Sequence, residues 1–100
     1  MIGYVSVGTN DIKRAAAYYD KLLAEMGAKR IMDFGTFMVW GTGKGKAAFA
    51  IAEPYNKMPA TVGNGVMVAF DVGEPAKVDA MYKKALELGG KDDGPPGDRG

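Results

Sequence analysis

Apolar and polar positions along the chain follow two rhythms. Near the start, Val5 and Val7 take one side of an extended segment and Tyr4 and Ser6 the other. Successive strand side chains point to opposite faces, so this alternation predicts a strand over residues 2–8. Thr9, Asn10 and Asp11 follow, three short side chains whose oxygens cap helices. From Asp11 to Met26 the apolar residues are Ile12, Ala15, Ala16, Tyr19, Leu22, Leu23 and Met26. That spacing draws one stripe along a helix, and Gly27 stops it. Strands are expected over residues 29–34, 37–40 and 47–53, with a turn at Gly35. The run Gly41-Thr42-Gly43-Lys44-Gly45-Lys46 joins the last two as a hairpin connection. Residues 54–59, with two prolines, read as a linker.

The pattern then begins again. Aligned without a gap, Tyr4-Val5-Ser6-Val7 lies on Met67-Val68-Ala69-Phe70, and Ala17, Tyr19, Lys21, Leu23 and Gly27 lie on Ala80, Tyr82, Lys84, Leu86 and Gly90. A strand over residues 66–72 and a helix starting at Pro75 are therefore expected. Val78, Met81, Tyr82, Ala85, Leu86 and Leu88 form the apolar side of that helix. Gly89 and Gly90 end it, and residues 91–100 read as a loop or frayed end. Two copies of one unit imply a pseudo-symmetric fold with a cleft between them. The first copy reads β-α-β-β-β and the second only β-α. Such a unit leaves a sheet edge open. We expect the second copy to continue past Gly100; a second subunit covering the edge, or a small domain that does without it, are the alternatives.

Composition narrows the chemistry. The 100 residues carry a net charge of +1, which provides no electrostatic argument for nucleic acid or an anionic membrane. No apolar run approaches the roughly 20 residues of a membrane span, and the N-terminus lacks the layout of a secretory signal. There is no cysteine, which fits a cytoplasmic location and excludes disulfides and thiolate chemistry. There is no histidine either, so a Ser-His-Asp or Cys-His mechanism is excluded within this chain, and a metal would have oxygen ligands only.

Other motifs admit two readings. The glycine-lysine run 41–46 suggests a phosphate loop, but strands are expected on both sides of it and Ala47 stands where Ser or Thr is needed, which favours a hairpin. Asp92, Asp93 and Asp98 lack calcium-loop spacing and read as a solvated loop. Met38 and Trp40 share a face and suit a flat hydrophobic ligand; core packing or a dimer interface uses the same residues. Tyr55 adds further aromatic surface.

The stretch Gly3-Tyr4-Val5-Ser6-Val7-Gly8-Thr9-Asn10-Asp11-Ile12-Lys13-Arg14-Ala15-Ala16-Ala17-Tyr18-Tyr19-Asp20, with Gly65-Val66-Met67-Val68-Ala69-Phe70-Asp71-Val72, resembles the glyoxalase/bleomycin-resistance/extradiol-dioxygenase superfamily, the vicinal oxygen chelate proteins. The resemblance spans essentially the whole chain. It implies an α+β fold of two tandem β-α-β-β-β modules forming a curved mixed sheet with helices outside, the second module truncated in this chain. The expected division is module one over 1–56, a linker over 57–64 and an incomplete module two over 65–100. Metal-using members place a ligand on the first and last strand of each module. Here those positions fall on Tyr4, Met67 and Ala50 or Ala52, with Glu53 a shifted match, so no metal and no cofactor are expected. The layout also implies that Tyr4, Ser6, Met67 and Ala69 line the concave face while Val5, Val7, Val68 and Phe70 lie under the helices. Tyr4, Ser6, Met38, Trp40, Tyr55 and Met67 are thus the candidate ligand-binding residues, and Glu53 is the one catalytic candidate. The expected function is metal-free binding of a small hydrophobic or aromatic molecule, with a homodimer forming the cleft. The alternatives are an enzyme of glyoxalase, lyase or dioxygenase type, and a non-catalytic interaction domain.

Overall fold

A computed structural model describes residues 2–43, 45–61, 63 and 66–90. Its elements run β1 (Tyr4–Gly8), α1 (Ile12–Ala24), β2 (Lys29–Asp33), β3 (Phe37–Gly41), β4 (Ala48–Ala52) and α2 (Pro75–Glu87). The four strands form one mixed sheet in the order β1-β4-β3-β2. β1 runs parallel to β4, and the other neighbours are antiparallel. The β-α-β-β-β reading of the first copy is thereby met. The glycine-lysine run connects two antiparallel strands, so the hairpin reading stands and the phosphate-loop reading does not. Among the described residues no helix is long and apolar enough to cross a membrane.

Local chemistry sets the ends of α1. The Asp11 side chain accepts from the Arg14 backbone N–H at 3.2 Å, and Thr9 Oγ1 accepts from the Asp11 N–H at 3.1 Å. At the other end Gly27 sits at φ +79°, while Ala28 N–H bonds Leu23 O and Gly27 N–H bonds Ala24 O. This paired closure needs a left-handed residue, which glycine supplies without a Cβ clash. α2 starts at Pro75 and closes the same way: Gly90 N–H reaches Ala85 O and Gly89 N–H reaches Leu86 O. Its left-handed residue is Gly89, at φ +100°, not the Gly90 that the ungapped alignment pairs with Gly27. The structural repeat therefore slips by one residue in the last turn.

The core lies between α1 and one face of the sheet. Ile12, Ala16 and Leu23 of α1 meet Met38, Trp40, Phe49 and Ile51, with Val7 alongside. Tyr19 packs its ring on Phe49, with centroids 4.8 Å apart. Transfer of such side chains out of water is the main stabilising term, about 1.5–3 kcal/mol for each large one.

The second copy departs from expectation at its first segment. Residues 66–72 join no strand ladder. Alternation nevertheless holds: Val68 and Phe70 pack against the core, and Phe70 meets the Phe49 ring at 5.1 Å. Side-chain periodicity reports which face is apolar, but a strand also needs a neighbour for its backbone groups, and periodicity does not supply one. α2 lies against α1, with Tyr18 Oη donating to Ala85 O at 3.5 Å and Lys84 Nζ 3.9 Å from Glu25 Oε1. Its apolar stripe is half-buried at Met81, Tyr82, Ala85, Leu86 and Leu88, and Val78 is exposed.

Candidate functional site

The sheet has a helix face and an open face. Met38, Trp40, Phe49 and Ile51 belong to the helix face, so alternation turns Phe37, Val39, Ala48, Ala50 and Ala52 to the open one. β1 joins that face through Tyr4, opposite Ala48, and Ser6, opposite Ala50. The Tyr4 and Phe37 rings meet edge to face at 5.8 Å across the intervening strand. β4 keeps them in reach by presenting methyl groups, and Ala50 between them is fully covered, at 0% exposure.

At the end of β1 this face opens into a cleft of about 800 Å³. Ser6, Gly8, Phe37 and Ala52 form its floor, and the segment over residues 53–61 forms its wall. The wall starts where Glu53 N–H bonds Thr36 O, extending the β3–β4 ladder by one rung. Lys57 N–H then turns back to Pro54 O, with Lys57 at φ +63°, and Met58 N–H bonds Asn56 Oδ1. Glu53 and Lys57 are the charged groups in the described lining; the rest is apolar or neutral.

On the other face a polar cluster pins β2 and β3 to α1. Asp20 Oδ1 accepts from Trp40 Nε1–H at 2.9 Å and from Arg30 Nε–H at 3.2 Å. A second Arg30–Asp20 contact and an Arg30–Asp33 pair at 3.0 Å complete it. The guanidinium lies 5.6 Å from the centroid of the Trp40 ring. The hydrogen bond to Asp20 chiefly holds Arg30 still more firmly in its charged form. Burial pushes the Tyr19 phenol upward, with a smaller push from Tyr18, and burial raises Tyr18 as well.

The candidate residues divide accordingly. Ser6, Glu53 and Tyr55 lie in the cleft lining, and Tyr4 borders it through its contact with Phe37. Met38 and Trp40 do share a face, but it is the helix face; Trp40 is 1% exposed and occupied with Asp20. Their alternation establishes a common side without saying which side α1 covers. Met67 is 86% exposed on a segment outside the sheet and does not stand beside Tyr4 as the second concave-face residue. Asp92, Asp93 and Asp98 lie outside the described residues. Gly8, Ala52 and Ala60 also line the cleft and were not among the ligand-binding candidates. The β3–β4 register, which sets Phe37 opposite Ala52, was the signal for the floor.

The model of the Glyoxalase/Bleomycin resistance protein/Dioxygenase superfamily matches residues 1–100. The chain belongs to this superfamily. A crystal structure of a glyoxalase/bleomycin resistance protein from Albidiferax ferrireducens T118 superposes with a TM-score of 0.80 at 29% identity, covering 89% of this chain and 70% of that one. A search of curated proteins found no match. Metal-using members of the glyoxalase superfamily raise the question of a cation on the open face. In this superfamily chain the facing positions of β1 and β4 are a phenol opposite one methyl and a hydroxyl opposite another. Hard divalent cations take carboxylate, carbonyl or imidazole donors, and this donor set does not fit one. Among the described residues no three Asp or Glu side chains gather into a cation-sized group.

Proposed function

We propose that this glyoxalase-superfamily chain is a metal-free binding protein that holds a small hydrophobic or aromatic molecule in the cleft between the open sheet face and the 53–61 wall. The observation that carries the reading is the lining itself. Phe37, Ala52, Pro54, Tyr55 and Met58 supply apolar surface, while Ser6 and the Glu53 carboxylate supply a few polar groups for orientation. That mixture is what small-molecule sites use. The Tyr4–Phe37 pair at the border gives a planar ligand an aromatic edge to pack on. Of the positions that metal-using relatives give to ligands, the one on β1 carries the Tyr4 phenol and the one on β4 an alanine methyl, which supports binding without a cation.

We also propose a homodimer. Among the described residues the outer edge of β1 has no strand partner, and the α2 stripe is only half-covered. A second copy, or further chain, would cover both. A cytoplasmic location goes with this reading.

The test is thermal melting of the full-length protein with Ni, Zn, Mn or Fe salts, beside calorimetric titration with bleomycin and with a panel of planar aromatic compounds. Binding to the native state raises the melting temperature by mass action. The expected result is a rise with one or more organic compounds and none with metal. A rise with metal alone refutes the reading and favours an enzyme. In that case Glu53, the acid inside the cleft, is the group to replace with glutamine. Light scattering over a micromolar dilution series decides the dimer: a monomer throughout removes it.

A further inference from the structure

We propose that Asn10 is the positioning residue of the cleft, the clamp that sets where the 53–61 wall stands; this rests on the reading of the cleft as a binding site. Asn10 Nδ2 donates to Ala60 O at 3.1 Å, and Asn10 Oδ1 accepts from Ala60 N–H at 2.6 Å. One side-chain amide thus satisfies both backbone polar groups of Ala60, as a neighbouring strand would. A carboxamide is suited to this because it carries a donor and an acceptor side by side; an ionised carboxylate has no donor, and a hydroxyl does not present both in parallel.

The base of the clamp is rigid. Thr9 N–H bonds Ala52 O at 2.9 Å, tying the end of β1 to the end of β4, and Asp11 caps α1 one residue further on. Asn10 therefore projects from a fixed point between two elements. The wall is not fixed in itself. Among the described residues its other hydrogen bonds are the rung at Glu53 and the local turns at Pro54–Lys57 and Asn56–Met58, none of which reaches across to β1 or α1. Gly8 completes the seat. A Cβ built there would stand 3.1 Å from the Ala60 Cβ, so the missing side chain is what lets the wall approach the floor. Both contacts converge on Ala60, at the far end of the wall from its strand attachment.

The test compares wild type, Asn10→Ala, Gly8→Val and, as a structural control, Asp11→Ala, all as full-length protein. Hydrogen exchange read by mass spectrometry reports the wall, and fluorescence titration with anilinonaphthalene sulfonate reports the cleft. Loss of two hydrogen bonds should speed exchange over residues 53–61 by about tenfold or more in Asn10→Ala while α1 and β3 keep wild-type rates. Dye affinity should fall by a similar factor. Gly8→Val reaches the same wall without touching the amide and should give both changes. Asp11→Ala removes the helix cap, and should lower the melting temperature while leaving wall exchange and dye affinity alone. Unchanged exchange over 53–61 in Asn10→Ala overturns the clamp. Faster exchange with unchanged dye affinity overturns its role in the site. A wild type that takes up no dye counts against the binding reading of the cleft, and the exchange comparison still decides the clamp.

Discussion

Replacing Asp20 with alanine removes the acceptor that Trp40 uses from inside the core. Trp40 is nearly fully buried, and its Nε1–H points at Asp20 Oδ1 from 2.9 Å. A buried donor left without a partner costs about 1–3 kcal/mol. Asp20 itself keeps 43% of its side-chain surface exposed, so water reaches the vacated position, and the lower half of that range, about 1–2 kcal/mol, applies. The ion pair with Arg30 is solvent-accessible on both sides and adds at most about 0.5 kcal/mol. The sum, about 2 kcal/mol, corresponds to a fall in melting temperature of roughly 10 °C for a domain of this size. Asp20→Asn keeps an oxygen for the indole and loses only the charge, so its fall should be less than about half as large. Urea denaturation followed by the emission of Trp40, the single tryptophan, gives both values. A cycle with Trp40→Phe, followed by circular dichroism because that background lacks the fluorophore, isolates the indole contribution: Asp20→Ala there should cost only the Arg30 part. Equal losses for the alanine and asparagine variants would refute the reasoning, since they would show that charge and not the buried donor is at stake.

Three further expectations follow from the packing. The Tyr19 phenol titrates above its ordinary value, so the folded state holds that proton longer than the unfolded chain. Its contribution is complete below about pH 10 and is lost as pH rises through the folded value. Melting temperatures should thus fall more steeply above about pH 10 in wild type than in Tyr19→Phe, and parallel curves would count against it. Ala50 has no exposed surface at the middle of β4, and Ala50→Leu should destabilise by about 1–3 kcal/mol through overpacking, measured by urea melts. Gly27→Ala meets no atom within 4 Å, so its cost, about 1 kcal/mol, comes from the left-handed backbone alone and should appear without any change in Trp40 emission.

The sequence and the structure agree best where a pattern is local. Thr9, Asn10 and Asp11 announced the start of α1, Gly27 its end, and the spacing from Ile12 to Met26 its buried stripe. The hairpin between β3 and β4 was equally legible from its glycines. Agreement weakens wherever a residue's role depends on a distant partner. Met38 and Trp40 were paired correctly, yet the side they occupy depends on where α1 lands, which no window of sequence contains. Residues 66–72 alternate like a strand and lack a ladder for the same reason. The short motif Thr9-Asn10-Asp11 carries two roles. Helix capping explains Thr9 and Asp11, and the bonds of Asn10 to Ala60 bridge fifty residues that nothing in the sequence connects. Of the cleft, Ser6, Glu53 and Tyr55 were legible, and the floor made by what is missing at Gly8 and small at Ala52 was not.

The parallel pairing of β1 with β4 has a kinetic corollary. Tyr4 meets Ala48 only after everything between them has been drawn into a closed circuit, whereas β2, β3 and β4 follow one another through short connections. Circuit closure is entropically slow, so the two hairpins should nucleate assembly and the N-terminal strand should dock last. Of the four strands, that one is made first and used at the end. Since it supplies one flank of the cleft, a partly folded chain has no such cleft, and the proposed binding would become a report of completed folding.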